Sequence, residues 1–80
     1  METTSYFRHR REKPDRSWIQ DEWIEYVVAN PEFEEIQTDG RIRRWARIEQ
    51  ANNRYLRVVI LDDNQTVHNA FFDRTFGDEK

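Results

Sequence analysis

The chain has no cysteine, only two glycines and two prolines, and no long apolar run. Without cysteine it can form no disulfide and offers no thiolate, which fits a reducing compartment, so we expect the cytoplasm. Its longest strongly apolar run, residues 58–61, is far shorter than the roughly 20 residues of a membrane-spanning helix, and we expect no membrane partner. The two glycines, Gly40 and Gly77, stand too far apart for a glycine-rich phosphate loop.

Aromatic and charged residues are abundant instead. Of the 80 residues, 14% are aromatic and 36% are charged, so the chain has enough large apolar side chains to fold despite its charge. This length allows one domain with a thin core, for which one helix layer on one sheet layer is the natural architecture.

The charges are segregated along the chain, although the formal net charge is only −3. Residues 41–57 hold six arginines against one acid, Glu49, whereas residues 17–35 hold six carboxylates and no basic residue. A local basic cluster can contact nucleic acid even in a chain that is acidic overall, because the distribution of charge matters more than its sum.

Residues 17–29 are predicted to form an amphipathic helix. Ser17, followed three residues later by Gln20, matches a capping box, and Pro31 restricts Asn30 so that the helix should end near Ala29. Residues 1–16 before this helix are interpreted as a basic, loosely tied arm. The apolar positions of the helix, at three- and four-residue spacing, are Ile19, Trp23, Ile24, Val27 and Val28.

After residue 34 the apolar spacing changes to the alternation typical of strands. Turn-forming residues at 39–40, 51–53 and 62–65 separate four predicted strands, near residues 35–38, 41–50, 54–62 and 65–73. The sequence therefore predicts a single α+β domain over residues 17–76, with one N-terminal amphipathic helix packed on a four-stranded antiparallel sheet, and a tail over residues 77–80.

The registers of the two central hairpins predict which side chains share a face. A three-residue turn at 51–53 pairs Ile48 with Leu56, and a two-residue turn at 63–64 pairs Ile60 with Val67. The face toward the helix then holds Ile42, Arg44, Ala46, Ile48, Leu56, Val58, Ile60, Val67, Asn69 and Phe71. The opposite face holds Arg41, Arg43, Trp45, Arg47, Tyr55, Arg57, Val59, Leu61, His68, Ala70, Phe72 and Arg74.

The second face combines arginines with aromatic rings, and only Asp39 and Glu49 are expected to supply acids near it. The planar fork of arginine matches phosphate, and aromatic rings stack on unpaired bases, so this mixture suits single-stranded RNA. The alternative is a solvated face whose arginines pair with acids of the arm, the tail or a partner chain. The predicted substrate-binding residues are Arg41, Arg43, Arg47, Trp45 and Tyr55.

His68 is the candidate for proton transfer. Cleaving RNA through the 2′-hydroxyl needs a group that moves a proton near neutral pH and cations that stabilise the developing charge, which His68 with the flanking Arg43, Arg57 and Arg74 could supply. Asp73 and His9 are further candidates, and a structural hydrogen-bonding role for His68 is the competing interpretation. Two histidines without cysteine, at no recognised ligand spacing, argue against a zinc site.

Five segments together resemble a known family: residues 9–10 (HR), 30–31 (NP), 39–43 (DGRIR), 55–59 (YLRVV) and 67–74 (VHNAFFDR). They resemble small bacterial proteins similar to RelE/ParE-like toxins, within the barnase, EndoU, colicin and RelE superfamily of metal-independent ribonucleases. The likeness extends over residues 7–76. It implies a helix on an antiparallel sheet, RNA as substrate, no cofactor and a small antitoxin-like protein partner, with His68, Arg57 and Arg74 carrying the activity.

One departure from that family is the net acidic charge, since relatives that act on the ribosome are usually strongly basic. The sequence thus predicts a metal-independent endoribonuclease toxin of a toxin–antitoxin pair. The alternative is a noncatalytic binding module whose arginine-rich sheet face docks nucleic acid or an acidic protein.

Overall fold

Two short helices precede four strands, and the computed structural model describes residues 1–76. Each strand pairs antiparallel with the next one in the sequence, so the sheet order is β1-β2-β3-β4. This confirms the predicted α+β class with a four-stranded antiparallel sheet, while the predicted tail 77–80 lies outside the described residues. The elements are α1 (Ser5–Arg10), α2 (Asp21–Ala29), β1 (Phe33–Ile36), β2 (Ile42–Ile48), β3 (Arg54–Ile60) and β4 (Val67–Phe72).

Helix α2 buries one side against the sheet. It begins at Asp21 rather than at Ser17, because Gln20 has the extended backbone of a cap residue and its side chain makes no capping hydrogen bond. Ser17 lies instead in a turn, where its N–H donates to the carbonyl of Lys13. The predicted capping box is therefore wrong. The buried residues of α2 are Trp23, Ile24 and Val27.

The N-terminal segment is part of the folded domain. Helix α1 is capped by Thr4, whose hydroxyl oxygen accepts from the N–H of Phe7, and the Phe7 ring is buried in the core. Thr3 pairs in parallel with Val67, so the start of the chain covers part of the free edge of β4. The prediction of a single helix is therefore wrong, and the segment interpreted as a loosely tied arm contributes to the core.

The turn between β2 and β3 is longer than predicted. It spans residues 49–53, with a 3₁₀ turn at Glu49–Ala51 followed by Asn52 and Asn53 at φ values of 61° and 60°. Ile48 consequently pairs with Arg54, two positions away from the predicted partner. A shift by an even number of residues leaves every side chain on its predicted face, so the assignment of faces in β2 and β3 still holds.

A bulge interrupts the pairing of β3 with β4. Ile60 pairs with Val67 as predicted, but Val59 pairs with Asn69, which leaves His68 as an extra residue on the β4 side. The extra residue shifts the register by one position along the rest of the strand.

This odd-numbered shift exchanges the two faces of β4 beyond the bulge. Ala70 is buried and Phe72 packs against the core, whereas both were predicted on the opposite face. Asn69 and Phe71, predicted to face the helix, pair with residues of the other face. The prediction is therefore wrong for these four residues.

The core lies between α2 and one side of the sheet, with Phe7 from α1 at its margin. The side chains of Ile24, Leu56, Val58 and Ile60 are completely buried, as expected for apolar residues on facing layers. Within residues 1–76, no helix has the length and apolar character needed to cross a bilayer.

Replacing Phe7 by alanine tests whether the N-terminal segment belongs to the cooperative fold. Because this ring is only 2% exposed, Phe7→Ala should lower the free energy of unfolding by about 3–5 kcal/mol, measured by urea denaturation. The neighbouring Tyr6→Ala, which removes a ring that is 47% exposed, should cost far less. Equal and small losses for the two variants would contradict the packing of α1.

Candidate functional site

The sheet side that faces away from α2, termed the outer face, carries the arginines and aromatic rings. Three cross-strand rows build it, because residues paired across neighbouring strands lie side by side on the same face. The central row runs across all four strands as Phe33, Trp45, Arg57 and Phe71. The rows beside it consist of Glu35, Arg43, Val59 and Asn69 on one side, and of Arg47, Tyr55 and Asp73 on the other.

Arg57 occupies the middle of the central row. Its guanidinium lies 5.7 Å from the centre of the Trp45 ring and 5.0 Å from the centre of the Phe71 ring. Arg16 reaches the same Phe71 ring, at 5.1 Å, from the segment between the two helices. Arg57 and Arg16 are therefore each held against aromatic rings of the outer face.

Acids also lie on the outer face, contrary to the sequence prediction. Glu35 of β1 accepts from Arg43 at 3.0 Å, and Asp73 lies 3.8 Å from Arg57. The acid-rich segment that ends in β1 is placed directly beside arginine-rich β2, so the charges that are separated along the sequence neutralise one another across the sheet. Arginines of the face thus pair with acids, and β1 is the source of one of those acids.

Arg43 and Arg57 nevertheless retain unused hydrogen-bond donors. Their Nε atoms are buried and have no hydrogen-bond partner within residues 1–76, although parts of both side chains reach solvent, with 31% and 23% exposure. Burial lowers the pKa of Arg57, and the nearby charge of Arg43 lowers it further, against the opposing effect of Asp73 and Glu35. Glu35 and Asp73 balance the charges of the two arginines, but the accessible guanidinium nitrogens can still donate to an anion.

Asp73 connects the central row to the chain that follows β4. Trp45 Nε1 donates to Asp73 Oδ2 at 3.1 Å, and the backbone N–H and hydroxyl of Thr75 donate to Asp73 Oδ1. Burial alone would raise the pKa of Asp73, but these hydrogen bonds and Arg57 together hold it below its ordinary value. Asp73 therefore acts as an ionised acceptor that positions the Trp45 ring, and its geometry does not indicate proton transfer.

His68 lies apart from Arg57. Its Nδ1 is 3.1 Å from the hydroxyl of Thr4, and its ring stacks on Tyr6 with centres 4.8 Å apart. Burial lowers the pKa of His68, and Arg41 is the arginine whose charge lowers it further, opposed by Asp39. The predicted grouping of His68 with Arg57 is therefore not seen, and the histidine instead sits with the N-terminal segment at the edge of the sheet.

The remaining predicted residues are dispersed. Arg41 is exposed and lies 3.7 Å from Asp39, while Arg74 is exposed and has no ion pair within residues 1–76. His9 is exposed on α1. The structure thus brings together a larger part of the predicted set and separates it from His68 and His9. The residues brought together are Arg43, Arg47, Arg57, Trp45, Tyr55 and Asp73.

Two polar residues of the outer face were missed in the sequence. Arg16 donates to the side-chain oxygen of Asn69 at 3.0 Å, and Arg16 is one of the less exposed arginines of the chain. Arg16 lies in the segment assigned to the arm, and Asn69 follows the bulge residue. No periodic pattern in the sequence indicates that Arg16 lies on the outer face. No signal in the sequence of β4 indicates the bulge that places Asn69 there.

Titration of His68 tests its environment. The pKa of His68 should lie below 6.5, and Arg41→Ala should move it upward, as measured from imidazole resonances by NMR. Because the folded state binds this proton less readily than the unfolded chain, the stabilisation linked to it is present above pH 6.5 and is lost as the pH falls toward the folded pKa. A pKa at or above 6.5 would contradict the described burial.

No protein-family model, no curated protein and no solved structure matches this chain. The relationship to RelE/ParE-like toxins therefore stays a prediction from the sequence segments, and function has to be argued from the arrangement of the outer face.

Proposed function

We propose that the protein is a noncatalytic binding module that takes up single-stranded RNA on its outer face. The observation that carries this proposal is that Arg43 and Arg57, on the paired strands β2 and β3, keep partly accessible guanidinium groups on the outer face. Phosphate oxygens are strong acceptors that match the fork of arginine, so a backbone phosphate can bond the accessible guanidinium nitrogens and balance their charge.

Aromatic side chains beside the two arginines favour an unpaired strand over a duplex. The Phe33 ring is 52% exposed and lies in the same row as Arg57. Tyr55 is partly exposed and lies in the adjacent row. Bases of a duplex are stacked on each other and cannot reach such rings, whereas unpaired bases stack on them with little regard to sequence. An acidic protein segment would use the arginines, but it would use the rings only if it also carried apolar side chains.

The acids of the face limit the strength of this binding. Arg43 shares its guanidinium with Glu35, and Arg57 lies near Asp73, so an incoming phosphate competes with carboxylates for the same donors. We therefore expect an affinity that is moderate and steeply dependent on salt, since phosphate contacts release bound counterions.

Binding of a fluorescein-labelled 12-nucleotide oligouridylate, followed by anisotropy at low salt, tests the proposal. Arg43→Gln should weaken binding about tenfold, since a charge-assisted hydrogen bond is lost, and should make the salt dependence shallower. The matched control is Arg8→Gln, an exposed arginine on α1 that bonds Thr3, which should leave binding unchanged.

Two results would overturn the RNA-binding proposal. One is the absence of salt-dependent binding by the unchanged protein, and the other is an equal effect of Arg43→Gln and Arg8→Gln. An acidic peptide that binds in place of the oligonucleotide, with the same loss in Arg43→Gln, would show that the face docks protein.

The endoribonuclease predicted from the sequence is a second candidate, favoured by one observation on His68. Its lowered pKa keeps the imidazole neutral near pH 7, which a general base requires, and Thr4 holds Nδ1. In this proposal Nε2 takes the proton of a 2′-hydroxyl, the freed oxygen attacks the adjacent phosphorus, and the departing 5′-oxygen takes a proton from solvent. The products are a 2′,3′-cyclic phosphate and a 5′-hydroxyl, and a small antitoxin-like partner would restrain the activity.

Cleavage of the same oligouridylate in the presence of EDTA tests the enzyme proposal separately. His68→Ala should reduce the rate by about 10²–10⁴-fold, typical of a lost general base, and should relieve any growth arrest caused by expression. The control His9→Ala removes an exposed imidazole of α1 and should keep full activity. Intact RNA after long incubation with the unchanged protein, together with normal growth, would reject the enzyme and leave the binding module.

A further inference from the structure

Phe76 lies over the aromatic part of the outer face. Its ring stacks on Trp45 with centres 4.6 Å apart and planes 10° from parallel. It also meets Phe33 at 4.9 Å and Tyr55 at 5.2 Å, both edge to face. Three rings from three different strands thus surround one ring from the segment after β4, and we call Phe33, Trp45 and Tyr55 the aromatic box.

The aromatic box is separate from the hydrophobic core. None of its three rings belongs to the core cluster between α2 and the sheet, and the box lies on the opposite side of that sheet. Trp45 is only 7% exposed, with Phe76 stacked against it, whereas Phe33 on the rim is 52% exposed. The box is therefore a surface slot for one flat ring.

The segment that carries Phe76 is short and is attached through a single carboxylate. Asp73 accepts from Trp45 Nε1 on one side and from Thr75 on the other, so it links the base of the box to the turn that holds Phe76. Arg74 and Thr75, the residues between, are exposed. Within residues 1–76, Phe76 lies beyond Phe72, the last paired residue of β4, so moving Phe76 out of the box breaks no strand pairing.

The box also adjoins the pair of arginines. Trp45 and Arg57 are direct cross-strand partners, and the guanidinium of Arg57 lies 5.7 Å from the centre of the Trp45 ring. That separation suits a base and the phosphate of its own nucleotide. A flat apolar slot next to a cation is the combination that a single unpaired nucleotide requires.

We propose that the aromatic box is a subsite for one unpaired nucleobase, and that Phe76 fills it in the free protein as a competitor within the chain. This inference rests on the proposed binding of single-stranded RNA. A bound base would stack on Trp45 in place of Phe76, so Trp45 keeps a stacked ring in both states. The fraction of molecules in which Phe76 has left the box then sets the apparent affinity for RNA.

The test compares Phe76→Ala with the unchanged protein, using two probes of equal length. One probe is the 12-nucleotide oligouridylate, and the other is an abasic oligomer with the same phosphates and no bases. Phe76→Ala should bind oligouridylate about tenfold more tightly, because the competing ring is gone, and should bind the abasic oligomer as the unchanged protein does. Adding Tyr55→Ala to Phe76→Ala should remove the gain.

Two further variants guard against an effect of folding. Trp18→Ala is the matched control, because Trp18 stacks on Phe72 at 5.1 Å and 10° in a similar way but on the side of α2, and it should give no gain for either probe. Phe76→Leu keeps an apolar cover but lacks a flat ring, and it should give a smaller gain of the same sign. If Phe76→Ala does not fold, the gain in binding by Phe76→Leu tests the base subsite instead.

The outcomes separate the two proposals. If the unchanged protein binds neither probe, the RNA-binding proposal fails. If it binds both probes while Phe76→Ala and Phe76→Leu bind oligouridylate no more tightly, the RNA-binding proposal stands and the base subsite is rejected. A gain for both probes would also reject the subsite, because it would show that Phe76 hinders the phosphates and not a base.

Discussion

The antiparallel pairing of β2 with β3 is the constraint on which both faces of the sheet depend, the core face and the outer face. Leu56 and Val58 are fully buried under α2, and the residues that alternate with them, such as Arg57, point to the opposite side. Burial of the apolar side fixes the register, and the register in turn lines up Trp45 beside Arg57. The positions of the outer-face arginines therefore depend on the packing of apolar residues on the other side of the sheet.

Electrostatic pairing inside the sheet explains how an acidic chain can present concentrated arginine. Strand β1 places Glu34 and Glu35 beside Arg44 and Arg43, one pair on each face of the sheet. On the α2 side, Arg44 also donates to the carbonyl of Val28 near the end of that helix, so it joins the two layers. Arginine thus has a structural role on the α2 side of the sheet and retains free hydrogen-bond donors on the outer face.

The sequence was sufficient for the class of fold and for the faces of the two central strands, because alternation is a local property. The turn at residues 49–53 is longer than predicted, but the predicted faces stay correct because it shifts the cross-strand partners by two residues. The bulge at His68 shifts them by one, and it moved Phe71 to the outer face and Ala70 to the core. Helix α1 and the position of Phe76 depend on long-range packing, which produces no periodic pattern in the sequence.

The two edges of the sheet are treated differently. The start of the chain pairs with β4 through Thr3, whereas β1 has no further strand beside it within residues 1–76 and all four of its residues are exposed. This edge is only four residues long, and its two central residues are the charged Glu34 and Glu35. A short, charged edge strand disfavours pairing with the edge of a second molecule.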